Sequence, residues 1–276
     1  MRGCMASRDH RMTAEGKVSR TDILDRLSSS LESLEYVHAL WEGGAIGYGR
    51  LDEWSDLDLY VLVDDDRVAE AFAAIEAALG SLSPIAIKYD IGPTPHPGVH
   101  QAFYRLERTS EFLVLDVAVV TMGAPDKFLE EETHGTPHFL FRKGTDFPVP
   151  VLDRVALREK VSRRIQRLRL RMDMFQVFVQ KEMNRGHAIE AVDAYRAVVL
   201  GSLTELLRVR YNPVHHEFQT RYLYSELPPD VAERLEGLYF VRDMEDLARK
   251  HASARQWFDE VHRDVMAMGA DRLVPD

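Results

Sequence analysis

Gly43-Gly44-Ala45-Ile46-Gly47-Tyr48-Gly49-Arg50-Leu51-Asp52-Glu53-Trp54-Ser55-Asp56-Leu57-Asp58 runs straight into the apolar segment Leu59-Tyr60-Val61-Leu62-Val63. Four glycines mark a tight turn, and the apolar segment behind them reads as a strand. Asp56 and Asp58 therefore stand at its start. Alternating strand side chains put positions i and i+2 on one face, roughly 6–7 Å apart. Two carboxylates on one face beside a glycine-rich turn suit divalent cations held against the phosphates of a nucleotide.

The rest of the chain sets the frame for that stretch. Its 276 residues allow two modest domains or one large one, and 45% hydrophobic with 29% charged residues is ordinary globular composition. No apolar run approaches the ~20 residues of a membrane span, and the N-terminus lacks the apolar core of a secretion signal. A single cysteine, Cys4, leaves no internal disulfide framework and no cysteine-built zinc site. These features favour the cytoplasm. The net charge of −10 argues against wrapping long nucleic acid, while a nucleotide needs only a few local cations.

Outward from the quoted stretch, the pattern predicts alternating elements. Residues 1 to about 19 are polar and are expected to be disordered. Thr21 is the expected cap of a helix carrying Ile23, Leu24, Leu27, Leu31 and Leu34, and Val37–Trp41 is an expected strand. A helix bearing Val68, Phe72, Ile75 and Leu79 is expected to end at Gly80. Strands are expected at 84–91 and 99–106, separated by a glycine- and proline-rich turn. Phe112 to Val120 is a nearly continuous apolar run, the pattern of a central strand covered on both faces. Past Pro150, the spacing of Val161, Ile165, Leu168, Met172, Phe175 and Val179 predicts one long helix ending at Asn184-Arg185-Gly186. Helices over 187–210, 229–239 and 244–268 follow. The fold class is α+β: a mixed-sheet domain with flanking helices over 20–145, then a helical bundle over 146–276.

Asp116 interrupts the apolar run. An ionised carboxylate in such a strand costs several kcal/mol unless it is paired or binds a cation. Protonation, or pairing with an arginine such as Arg105 or Arg108, is one resolution; a shared site with Asp56 and Asp58 is the other. The glycine turn, the Ser55-Asp56-Leu57-Asp58-Leu59 segment and Asp116 together resemble the nucleotidyltransferase superfamily that includes DNA polymerase beta and the antibiotic nucleotidyltransferases. The resemblance spans residues 35 to 120. The helical half looks like the substrate domain of aminoglycoside and lincosamide nucleotidyltransferases. Ala45 stands where many members carry serine.

The resemblance implies an enzyme that moves a nucleoside monophosphate, AMP from ATP, to a hydroxyl of a small-molecule acceptor with release of pyrophosphate. Asp56, Asp58 and Asp116 would hold two Mg²⁺ ions. Gly43, Gly44 and Ala45 would cradle the triphosphate through backbone N–H groups, with Arg50 and Ser55 as supports. Glu182 is the candidate general base, with Glu190, Asp193 and Glu205 as alternatives. The expected partners are the nucleotide and acceptor, without membrane or nucleic acid, for a monomer or homodimer. Two other functions stay open: a catalytically silent binding or antitoxin-like module, and transfer to RNA or protein. The last draws on eight basic side chains between Arg154 and Arg171, which equally suit a solvated helix face. The histidine pairs His134/His138, His96/His100 and His215/His216 are read as solvated or locally bonded rather than metal ligands.

Overall fold

The computed structural model describes residues 16–144 and 147–275. Most of the expected disordered tail, and the expected domain boundary at 145–146, lie outside these residues. The chain divides into two compact units, Met1–Val151 and Leu152–Asp276. Among the described residues no helix is long and apolar enough to cross a membrane.

The first unit is a six-stranded mixed sheet of order β3-β4-β5-β2-β1-β6. Its strands are β1 (Val37–Glu42), β2 (Leu57–Val63), β3 (Ile85–Pro93), β4 (Val99–Leu106), β5 (Leu115–Thr121) and β6 (His138–Arg142). β2 and β5 pair in parallel at the centre, and the other neighbours are antiparallel. The parallel pair needs a crossover, supplied by α2 (Val68–Leu82) and the β3–β4 hairpin, and a short α3 (Glu131–His134) precedes β6.

Period-two alternation sorts the side chains of the sheet. Leu57, Leu59, Val61 and Val63 of β2 join Leu115, Val117 and Val119 of β5 on one face, buried under Ile23, Leu27 and Leu31 of α1 (Arg20–Leu31) and Ala71, Ile75 and Leu79 of α2. Full burial of each leucine or isoleucine contributes roughly 1.5–3 kcal/mol. The opposite face gathers Trp41, Leu62, Ala118 and Val120 beneath Ala124, Leu129 and Phe147. β5 is thus covered on both sides, as its apolar run predicts, although Phe112 stays exposed ahead of it.

Some boundaries differ from expectation for local reasons. Ser19, not Thr21, caps α1: its hydroxyl accepts from Asp22 N–H while the Asp22 carboxylate accepts from Ser19 N–H. Val18 N–H donates to the Arg108 carbonyl at 2.6 Å, so this end of the expected tail is tied to the sheet domain. α2 passes through Gly80, where a Cβ would meet nothing within 4 Å, and closes at Ser83.

The second unit is helical. α4 (Arg154–Phe175) presents Leu157, Val161, Ile165, Leu168 and Met172 to the bundle core. The helical path breaks at Gln176 rather than running on to Arg185, and α5 (Val177–Arg185) ends in the left-handed Gly186. α6 (Ala188–Ala194) continues into a π-helical segment, Tyr195–Leu200, and then α7 (Gly201–Tyr211). α8 (Leu223–Glu226), α9 (Pro229–Tyr239), α10 (Met244–Met268) and α11 (Ala270–Leu273) complete the bundle. Its core includes Tyr195, Leu203, Leu207, Leu247 and Phe258.

Candidate active site

The turn after β1 folds against the start of β2. Gly43 N–H donates to the Asp58 carbonyl at 3.0 Å. Gly44 has φ +62°, and a Cβ there would lie 1.8 Å from Asp58 Oδ2, so only glycine lets the backbone lie against this carboxylate. A 3₁₀ turn, Ile46–Tyr48, follows. It is pinned by Thr136 N–H to the Gly47 carbonyl (3.0 Å) and by Tyr48 Oη to the Thr133 carbonyl (2.6 Å). The Gly43 N–H is thus committed within the protein. The N–H groups of Gly44 and Ala45 have no protein acceptor among the described residues.

Asp58 and Asp116 are direct partners in the parallel register of β2 and β5. Paired positions share a face, so the two carboxylates stand side by side near the N-terminal ends of both central strands. Burial pushes the Asp58 pKa up to about 6, helped by the negative charges of Asp116 and Asp56, while Arg20 pulls it down. Burial raises Asp116 as well, partly offset by a 2.6 Å hydrogen bond from Gln101 Nε2. Gln101 lies on β4 opposite Ala118, two residues from the partner of Asp116 and on the same face. Neither Arg105 nor Arg108 pairs with Asp116; Arg108 instead donates to the Leu82 carbonyl. Asp56 sits one residue ahead of β2 and is exposed.

Beneath this cluster is a buried ion pair that the sequence pattern did not reveal. Glu42, fully buried at the end of β1, accepts from Arg20 in the first turn of α1. The same guanidinium donates from Nη1 to the Asp56 carbonyl at 2.8 Å and reaches the Ser55 carbonyl at 3.3 Å. Arg20 thereby ties helix, strand and carboxylate loop together. Glu42 Oε2 and Arg20 Nε are buried without a partner. A glutamate closing an otherwise apolar strand was the available signal.

The remaining expected residues divide between local and unrelated roles. Ser55 Oγ donates to Asp52 Oδ1 (2.7 Å) and accepts from Asp52 N–H (2.9 Å), closing the loop on itself. Arg50 lies over the Tyr48 ring, 5.2 Å from its centroid. Ala45 accepts the Arg50 N–H through its carbonyl at 2.8 Å. Glu182 belongs to the second unit, where Arg185 and His187 occupy its two oxygens. A carboxylate engaged in this way is a poor base. The basic stretch of α4 is largely neutralised: Arg164 pairs with Glu205, Lys160 with Glu217, Arg163 with Glu159, and Arg169 with Asp173 and Asp259. That removes the continuous cationic stripe on which transfer to RNA would depend.

Among the described residues no group of three or more His, Cys, Asp or Glu side chains is gathered closely enough to hold a metal ion. The donor chemistry of the carboxylates nevertheless fits a hard divalent cation. Asp58 and Asp116 are oxygen donors, desolvated and carrying repulsion that a 2+ charge would cancel.

No family model matches the chain, and no curated protein matches its sequence. Among solved structures it is similar to an aminoglycoside 6-adenyltransferase from Bacillus subtilis, at 13% identity and TM-score 0.34, with 89% of each chain covered. It is also similar to spectinomycin adenyltransferase from Enterococcus faecialis, solved with ATP and spectinomycin. There the identity is 10% and the TM-score 0.34, over 88% of this chain and 98% of that one. A third is JHP933 from Helicobacter pylori, at 10% identity and TM-score 0.26, covering 90% and 94%. Likeness at this level assigns no activity to the chain.

Proposed function

We propose that the protein is a nucleotidyltransferase that moves AMP from ATP to a hydroxyl of a small molecule and releases pyrophosphate. The observation carrying this is the pairing of Asp58 and Asp116 on one face of the central strands, against the Gly43–Gly44 turn. Asp56, Asp58 and Asp116 would hold Mg²⁺, which when bound supplies positive charge to the attacking and leaving oxygens. The N–H groups of Gly44 and Ala45 face the triphosphate, and the absent serine hydroxyl at Ala45 leaves backbone donors to do this. Gln101 orients Asp116, and Arg20 holds the loop that carries Asp56. In the reaction the acceptor oxygen forms a bond to the α-phosphorus, the bond to the bridging oxygen breaks, and the hydroxyl proton is released.

Labelled ATP, GTP, CTP and UTP offered with a panel of hydroxylated acceptors, scored by pyrophosphate release, test this function. Asp56→Asn is expected to abolish Mg²⁺-dependent release with the fold intact. Full turnover by that variant would sink the metal assignment. Calorimetry that finds no Mg²⁺-dependent ATP binding would instead support a silent binding module.

A further inference from the structure

The two central carboxylates belong to a longer row. Antiparallel pairing sets Asp116 of β5 opposite Phe103 of β4, and Phe103 opposite Tyr89 of β3. Directly opposed residues share a face, so Asp58, Asp116, Phe103 and Tyr89 stand in line across four neighbouring strands. Adjacent strands lie about 4.8 Å apart, which sets Phe103 one such step from Asp116 and Tyr89 two. The Tyr89 and Phe103 rings stack, with centroids 6.4 Å apart and planes 27° from parallel.

The outer part of this row is apolar where water would select polar side chains. β3 is an edge strand, yet Tyr89 is 66% exposed and Ile87, opposite Arg105, is 53% exposed. The solvated face of an antiparallel sheet ordinarily carries polar residues, and adjoining exposed apolar side chains mark a binding surface. Charge narrows the choice of what binds. On this face β3 and β4 set out Ile87, Tyr89, Gln101, Phe103 and Arg105, none of them an acid. Asp90 lies opposite Ala102, on the other face, and meets Lys88 at 3.2 Å. Arg105 makes no ion pair among the described residues. A polycation would find a cation and no carboxylate beside the rings, whereas a flat ring without positive charge finds two aromatic faces.

The order of the row points to the acceptor. A triphosphate at Gly44 and Ala45 lies on the β1 side of Asp58. In-line displacement brings the attacking oxygen from the side away from the leaving pyrophosphate, toward β5, β4 and β3. We propose that the acceptor is a planar aromatic alcohol without positive charge, its ring on Phe103 and Tyr89 and its hydroxyl at Asp116, which rests on the nucleotidyl transfer proposed above. The single strand spacing between Asp116 and Phe103 keeps the hydroxyl on the ring or one carbon from it.

Titration of the full chain with 4-(hydroxymethyl)benzoate and Mg²⁺, followed by ligand NMR, tests the ring site without turnover. Its saturated counterpart, 4-(hydroxymethyl)cyclohexanecarboxylate, keeps the charge and the hydroxyl, and kanamycin supplies a polycation. The aromatic alcohol should bind about threefold to tenfold more tightly than the saturated one, the margin that ring stacking contributes. Tyr89→Leu and Phe103→Leu should each shrink that margin, while Tyr224→Leu, at an exposed tyrosine of the helical unit, leaves it whole. Phe103 is half-buried, so its variant counts only if its circular dichroism matches the parent; the exposed Tyr89 position carries the test otherwise. No saturable binding, equal affinity for the two alcohols, displacement of the aromatic alcohol by kanamycin, or a margin unchanged in Tyr89→Leu overturns the inference. Weakened Mg²⁺-ATP binding in Tyr89→Leu also overturns it, because the rings would then hold the nucleobase. Ring binding without pyrophosphate release from any acceptor would retire the transfer reading alone. Pyrophosphate release with equal KM for the aromatic and saturated alcohols would retire the ring site alone.

Discussion

Asp58→Asn tests the electrostatics of the carboxylate cluster without any substrate. Folding moves the Asp58 pKa from 3.8 to about 6 through burial and the charges of Asp116 and Asp56. At 1.36 kcal/mol for each tenfold change in proton affinity, that shift corresponds to at most ~3 kcal/mol, and partial solvent screening trims it to ~1–3 kcal/mol. The sign follows from proton binding. The folded chain holds this proton more tightly than the unfolded chain, so the contribution is fully present below pH 3.8. It is lost as pH rises through about 6. At neutral pH the ionised carboxylate therefore destabilises the fold. Asparagine keeps the shape and removes the charge. Asp58→Asn should be more stable than the parent at pH 7.5 by ~1–3 kcal/mol, with the gap closing toward pH 4. Denaturant unfolding with EDTA across that range measures it. Added Mg²⁺ should then stabilise the parent and leave the variant unmoved. A variant less stable than the parent at pH 7.5, or a gap that does not change with pH, would refute the assigned repulsion.

Two further substitutions probe the scaffold of the site. Gly44→Ala drives a methyl group into the Asp58 carboxylate at φ +62° and should cost ~2–4 kcal/mol, whereas Gly49→Ala, at φ +65° with nothing within 4 Å, should cost only ~1 kcal/mol. Thermal unfolding of the pair checks this, and equal losses would show that the Asp58 contact does not matter. Arg20→Ala strands the buried Glu42 carboxylate and should cost ~3–5 kcal/mol. The double variant Arg20→Met/Glu42→Leu should regain most of that stability in the same assay while remaining deficient in pyrophosphate release, because the Asp56 carbonyl still lacks its donor.

What the sequence disclosed follows the range of the forces involved. Strand alternation and helical spacing are local, so β4 and the helices at Pro229–Tyr239 and Met244–Met268 could be placed to the residue. The same locality placed Asp58 at the start of one apolar strand and Asp116 inside another; their side-by-side register came only from the pairing of β2 with β5. β6 was missed because its His138-Phe139-Leu140-Phe141-Arg142 segment is short and gains its identity from pairing with β1. Gln101 and Arg20 were missed for a related reason. Each acts on a residue far along the chain, Gln101 across a strand pair and Arg20 across a helix–sheet packing, and neither contact leaves a periodic trace. The break at Gln176 and the π-helical turn depend on how the bundle closes rather than on local preference. Arg185 and His187, three and five residues on from Glu182, engage its two oxygens, and a spacing rule for bases does not show that engagement.

The parallel pairing of β2 and β5 also bears on the order of assembly. The β3–β4 hairpin is local in sequence and needs no partner to begin. The strands bearing Asp58 and Asp116 are separated by α2 and that hairpin, and they meet only when β5 inserts between β4 and β2. Non-local closure of this kind is the slow part of folding. Here it is also the step that brings Asp116 beside Asp58, so this part of the electrostatic resistance falls late on the path. A chain folding without divalent cations closes its sheet against that resistance. A cation arriving as the strands meet would act on the folding rate before it could take part in any chemistry.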